Sequence, residues 1–296
     1  MRNFKLEIAG YKIGFEASAD GPDLAVSKRF LRNFCHETDY NVLIKVHSGK
    51  FKLPLKAERV FHAPFVEETN GILIENSPKF WSVWKHDSNL YIKTIFPLSP
   101  DQKNAVLKFS LEEMEWDLWI DSDKQETDPL EYPLDGLILY YLTVISNDLL
   151  IHASSVNYAG KGFLFSGASG KGKSTMARLW DDYGARVIHD DRLIIRKTIN
   201  GYTMFNTPVY DNDCPAESQL NRIFIIEHGN ENELIKLKEA SAVSQIMANC
   251  IQHTWHTGII SHLSETISDM CDTIPIFRLH FRPERSVIEY ILKSDE

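Results

Sequence analysis

Residues 162–191 read GFLFSGASGKGKSTMARLWDDYGARVIHDD, and the parse of the whole chain turns on them. Phe163, Leu164 and Phe165 form a short apolar run that predicts a buried strand. A glycine-rich turn follows, and residues 174–182 read as a helix closed by Gly184. A second apolar run over 185–189 then predicts another strand, which ends at the paired acids Asp190 and Asp191. Inside the turn, Gly167, Gly172, Lys173 and Ser174 satisfy the GxxxxGKS spacing.

That spacing suits one chemistry. A phosphate chain needs several donors converging without side chains in the way, and glycines let backbone N–H groups curl around an anion. The helix start adds unsatisfied donors and the positive end of its dipole. In this Walker A, or P-loop, reading the nucleotide is cradled by Gly167, Ala168, Ser169, Gly170, Lys171, Gly172, Lys173, Ser174 and Thr175. Lys173 places a point charge on the outer phosphates and the Ser174 hydroxyl ligates Mg²⁺, so the expected pair is ATP with Mg²⁺.

The chain has 296 residues and a formal charge of −9, which disfavours nucleic acid as a partner because a polyanion wants a basic surface. No apolar run is long enough for a membrane span, and the N-terminus alternates like a strand without a signal core. The expected location is the cytoplasm, and the composition is compatible with an oligomer. Cys35, Cys214, Cys250 and Cys271 are far apart with no CxxC pair, which predicts free thiols.

Outward toward the N-terminus the text is strand-like. Residues 4–8 and 11–15 alternate around Ala9-Gly10 as a hairpin, and further strands are expected over 40–46, 82–95 with a break near 87–89, and 105–120. The aromatic residues Phe80, Trp81, Trp84, Trp116 and Trp119 read as sheet core rather than as a recognition surface. The polar run over 121–128 reads as a linker, after which Leu134, Leu137, Ile138, Tyr141, Leu142 and Ile145 take helical spacing behind Pro133. Two domains follow: a β-rich one over 1–126 and a mixed α/β one over 127–296.

Outward toward the C-terminus, 193–196 and 202–205 read as a hairpin across Asn200-Gly201, and 222–227 as an apolar strand. Val243, Ile246, Met247, Cys250 and Ile251 suggest one helix face, and Ile260, Leu263, Ile267 and Met270 another. Phe277, Leu279 and Phe281 alternate as a strand before a terminal helix. His253, His256 and His262 lack a clustered carboxylate or thiolate and read as structural. Arg278, Arg282 and Arg285 form a basic patch able to meet a phosphate or an acidic acceptor.

Asp190 and Asp191 follow a strand in the position where a carboxylate reaches either a metal or an incoming nucleophile. Adjacent strand side chains point to opposite faces, so one acid takes the proton chemistry. Here the sequence resembles a known family. His152 ahead of the loop strand, then GASGKGKS at 167–174, then His189-Asp190-Asp191-Arg192 are similar to the catalytic core of the HPr kinase/phosphorylase family. That family shares its nucleotide fold with the ATP-dependent phosphoenolpyruvate carboxykinases.

The resemblance implies a P-loop kinase domain of the HPr kinase/phosphoenolpyruvate carboxykinase type behind the β-rich domain. It implies that Lys173 contacts the β- and γ-phosphates, that Asp191 is the general base and that His152 lies beside the transferring group. For the metal it implies Ser174, with Asp190 beside it; the acidic ligand of the family's EIRG-like run has no clean counterpart, and Glu217 is the nearest acid in order. The glycine-rich signature used to recognise HPr is absent, and the N-terminal half does not resemble the family's regulatory domain.

The segment 149–156, Thr207-Pro208 and the strand at 277–281 are instead similar to a wider group of HPr-kinase-like proteins with varied acceptors. The expected activity is therefore an ATP- and Mg²⁺-dependent phosphotransferase acting on a hydroxyl, serine-like, of a peptide, protein or small molecule. The alternative is a non-catalytic nucleotide-binding regulator or adaptor.

Overall fold

Alternation writes the first half of the chain into sheet: Phe4, Leu6 and Ile8 are buried on one side of a strand whose intervening residues are not. The computed structural model describes residues 1–63, 68–69, 72–73, 80–99 and 101–294. The described strands of this half are β1 (Asn3–Ile8), β2 (Tyr11–Ala17), β3 (Asp23–Leu24), β4 (Val42–Ser48), β5 (Glu58–His62), β6 (Glu68–Thr69) and β7 (Ile72–Leu73). They continue with β8 (Trp81–His86), β9 (Asn89–Ile95), β10 (Gln102–Phe109), β11 (Glu115–Ser122) and β12 (Glu126–Thr127), before helix α1 (Leu134–Ser146).

Eight of them form one sheet in the order β1-β2-β4-β11-β10-β9-β8-β5, parallel only where β4 pairs with β2 and β11. The expected single strand over 105–120 is two strands with a turn between. Phe80, Trp81 and Trp116 are core as expected, whereas Trp84 and Trp119 are half-buried, and Trp119 stacks on His47 at 4.7 Å.

The second half contains β13 (Leu149–Tyr158), β14 (Lys161–Ser166), α2 (Lys173–Asp182), β15 (Arg186–His189), β16 (Arg192–Thr198), β17 (Gly201–Asn206) and β18 (Glu217–His228). After these come β19 (Glu233–Lys236), α3 (Glu239–Met247), α4 (Thr257–Thr273), β20 (Ile276–Phe281) and α5 (Ser286–Lys293). The sheet runs β14-β13-β16-β17-β18-β20-β19, with β15 on β13 and a further parallel pairing of β14 with β18. Helices α3 and α4 contribute Ala242, Ile246, Ile267 and Met270 to one apolar cluster of the sheet, and α2 and α5 contribute Met176, Trp180, Val287, Ile288 and Ile291 to the other. The class is thus mixed α/β with two large sheets.

The chain divides into two compact units. One is residues 1–145 with 210–213 and 253–255; the other is 146–209 with 214–252 and 256–296. The sequence reading began its second domain at 127, and this division falls at 145. Helix α1 therefore packs with the first unit, burying Leu134, Leu137, Ile138 and Tyr141.

In that same unit His253 is a core residue. It lies among Phe61, Trp81, Tyr140 and Tyr141, with Nδ1 3.2 Å from the Tyr141 hydroxyl, and burial pushes its imidazole down to about 3. Cys250 and Ile251, read as helical, lie past the end of α3, where Ile151 and Cys250 form a β-bridge. All four cysteines are free. Among the described residues no helix is long and apolar enough to cross a membrane.

Candidate functional site

Parallel pairing fixes where the glycine loop emerges. Ser166 at the end of β14 is opposite Ile225 of β18, and β18 runs parallel to β20, so the C-terminal ends of all three strands share one edge of the sheet. Antiparallel β13 reaches that edge with its N-terminal half, since Ala153 is opposite Ser166 and His152 is one residue further. Loops at the carboxyl ends of parallel strands are where open α/β sheets leave room for ligands.

The loop over 167–172 is held by glycines for two separate reasons. Gly170 and Gly172 have φ of 76° and 95°, values that favour glycine, and a Cβ on Gly167 would be 2.9 Å from the Ile226 carbonyl oxygen. Helix α2 begins directly after it with Gly172 as its N-cap, no side-chain cap and no acid in its first turn. The first helical bond is Met176 N–H to the Gly172 carbonyl, so the N–H groups of Lys173, Ser174 and Thr175 precede any intrahelical partner.

Lys173 is 7% exposed, and its ammonium donates to the carbonyls of Gly167 at 2.8 Å and Ala168 at 3.3 Å. Burial lowers its pKa, and the negative charge of Asp191 opposes that shift. Ser174 is exposed, Thr175 half-buried, and Ala168, Ser169 and Gly170 are exposed. The ammonium therefore rests on loop carbonyls at a place an anion would compete for.

Two buried hydroxyls tie this loop to β13. Ser154 donates to the Lys173 carbonyl at 2.8 Å, and Ser166 donates to the His152 carbonyl at 3.1 Å. Both were missed in the sequence, where the signal was a polar residue inside an otherwise apolar strand. His189 was also missed in this role. It is 4% exposed, and its Nδ1 accepts from the N–H groups of Asp191 and Arg192 at 3.1 and 3.3 Å, shaping the turn that presents Asp191.

Asp191 is the electrostatic centre. His152 Nδ1 is 3.2 Å from one carboxylate oxygen and Arg192 Nε 3.4 Å from the other. Burial alone would raise its pKa, but the hydrogen bond from His152 and the charge of Arg192 outweigh it and hold the carboxyl below its usual range. The Asp191 carbonyl also accepts from Ala153 N–H at 3.0 Å, and Thr207 Oγ1 donates to the Arg192 carbonyl at 3.1 Å. An ionised, half-buried carboxylate beside an imidazole can take a proton from a hydroxyl.

His152, Lys173 and Asp191 are thus brought together, with Ser174 and Thr175 in the helix turn that follows. Asp190 is half-buried next to Asp191, and its side chain makes no hydrogen bond or ion pair among the described residues. Glu217 is not brought to the loop. It opens β18 at the end that pairs with β17, and the nine-residue run from Glu217 to Ile225 spans on the order of 25 Å of strand. Its carbonyl accepts from Arg186 at 2.6 Å. Arg282 pairs with Glu284 at 3.0 Å, and the Arg285 guanidinium lies over the Tyr183 ring at 4.8 Å, so those two arginines already have partners.

Residues 121–282, just over half of the 296, match the family model described as ScmC, SynChlorMet cassette protein ScmC. A comparison with curated protein sequences gives no significant match. Among solved structures, the HPr(Ser) kinase/phosphatase from Coxiella burnetii is similar at 10% identity and a TM-score of 0.31, covering 49% of this chain and 95% of its own.

Proposed function

This chain belongs to the ScmC family, and we propose that it is a phosphotransferase whose second unit is a P-loop kinase domain of the HPr kinase type. It moves the terminal phosphoryl group of ATP to a hydroxyl of a peptide, protein or small molecule. The observation that carries this reading is the shared edge: a glycine loop leading into an uncapped helix, a buried lysine resting on that loop's carbonyls, and an ionised aspartate hydrogen-bonded to a histidine. The sequence resemblance over 152–192 supports the same assignment.

The residues fit a nucleoside triphosphate. Free N–H groups at the start of α2 and the Lys173 ammonium suit the outer phosphates, and the exposed loop leaves their approach open. For Mg²⁺ the exposed Ser174 hydroxyl and Asp190 would be the ligands, and the ion when bound neutralises phosphate charge. Glu217, at the far end of β18, is left out of that set.

The chain's own residues then divide the work. Lys173 holds negative charge on the outer phosphates, exchanging its bonds to Gly167 and Ala168 for phosphate oxygens. Asp191 accepts the acceptor hydroxyl's proton on a carboxylate oxygen, while its hydrogen bond with His152 fixes the orientation of that carboxylate. Ser154 and Ser166 keep the histidine strand and the loop in register.

The test is Asp191→Asn. It should retain Mg²⁺·ATP binding within about threefold while phosphoryl transfer falls by roughly 10²–10⁴-fold, the range for removing a general base. Transfer is read as radiolabel moved from ATP to free serine, small hydroxyl metabolites or serine-containing peptides. Unchanged turnover in the variant would remove Asp191 from the chemistry, and intact binding without transfer to any acceptor would favour the regulator.

A further inference from the structure

The last residue of β18, His228, meets the glycine loop at two points, and nothing in the motif requires a histidine there. Its Nε2 is 3.2 Å from the Gly170 carbonyl oxygen, so the ring donates and the carbonyl accepts. The imidazole is exposed, yet it stacks on the fully buried Phe281 ring, with centroids 5.4 Å apart and planes 29° apart. A Cβ on Gly172 would be 2.9 Å from Phe281 Cζ and 3.3 Å from His228 Cε1. The two rings together form a wall behind the segment from Gly170 to Gly172.

The hydrogen bond has a directional consequence. In a trans peptide the carbonyl of Gly170 and the N–H of Lys171 lie in one plane and point opposite ways. A donor that draws the carbonyl toward His228 therefore turns the Lys171 N–H away from it, and that N–H is found donating to the Ala168 carbonyl across the loop at 3.2 Å. The neighbouring Gly172, at φ 95°, has space only for a hydrogen against the ring wall.

We propose that His228 is a positioning residue of the loop: braced on Phe281, it holds the Gly170 carbonyl outward and so keeps the turn closed by Lys171 N–H on the Ala168 carbonyl, from which the N–H groups at the start of α2 are presented to the terminal phosphates of a nucleoside triphosphate. This rests on the nucleotide reading of the same site. It adds a residue from a strand 58 positions after Gly170, outside the motif, whose loss costs anion affinity through the loop rather than through contact with the ligand.

Two variants separate the hydrogen bond from the packing. His228→Phe keeps a ring for Phe281 and loses the donor; His228→Gln loses the ring and keeps an N–H donor. Inorganic pyrophosphate and Mg²⁺·ATP are titrated calorimetrically into the full chain and both variants, and the melting temperature of each is recorded. The expected result is a fivefold to tenfold weaker Kd for His228→Phe, about the effect of one net hydrogen bond, with a melting temperature near that of the parent. His228→Gln should stay within about threefold of the parent.

Parent-like affinity in His228→Phe overturns the proposal while leaving the nucleotide reading intact. Equal loss of affinity in both variants, tracking a fall in melting temperature, also overturns it, because the residue would then be packing alone. A parent chain that binds neither ligand overturns the nucleotide reading and this proposal with it.

Discussion

Replacing Lys173 by methionine isolates the charge at the loop with little change of shape. In the free protein the ammonium is buried and donates to the carbonyls of Gly167 and Ala168, so its bonds to phosphate are gained by exchange. Two unit charges 4 Å apart at an effective dielectric of about 20 interact by about 4 kcal/mol. Giving up the two loop carbonyls offsets roughly 2 kcal/mol of this, at about 1 kcal/mol for each typical protein hydrogen bond. The remainder, about 2 kcal/mol, corresponds to a Kd for Mg²⁺·ATP weakened about 30-fold.

The assay is calorimetric titration of Mg²⁺·ATP into the parent chain and Lys173→Met, with circular dichroism to confirm that both fold. Methionine retains the buried stem, and the ammonium's desolvation penalty disappears with it, so stability should change little. A variant that folds normally and binds Mg²⁺·ATP within threefold of the parent would refute the placement of the outer phosphates at Lys173.

Three further outcomes are expected. His253 is neutral in the fold with its pKa pushed down to about 3, while in the unfolded chain it protonates near 6.5. Its contribution to stability is full above that value and falls by about 1.4 kcal/mol per pH unit as pH drops toward 3, so urea midpoints should fall over that window and His253→Phe should flatten the slope. Arg29 pairs at 2.9 Å with Asp135, which is 1% exposed, so Arg29→Met removes the countercharge of a buried carboxylate and should cost about 3–5 kcal/mol in urea denaturation. Glu217→Ala, at the far end of β18 from the loop, should leave the Mg²⁺ dependence of ATP binding unchanged in a titration.

What the sequence disclosed and what it concealed follow from the range of the interactions involved. The strand, loop and helix over residues 161–182 were legible because glycines, an apolar run and a helix end are local signals. The turn dividing β10 from β11 was not, since SLEEM at 110–114 has no Gly, Pro or Asn, and the chain reverses with the Ser110 hydroxyl accepting from Glu112 N–H at 3.2 Å. Glu217 looked plausible by order alone; only the register of β14 against β18 shows which end of the strand it occupies. Likewise His253 gave no sign of its aromatic surroundings, which come from residues more than a hundred positions away. His228 was passed over because its meaning depends on a loop 58 residues earlier and a ring on another strand.

If the loop at 167–175 holds the phosphates of ATP beside Asp191, hydrogen–deuterium exchange of the full chain, with and without Mg²⁺·ATP, should register it at the backbone. Ligand-dependent protection is expected to concentrate in peptides covering 167–175, with a smaller effect over 189–192. Protection at another place, or none at millimolar ATP, would contradict it.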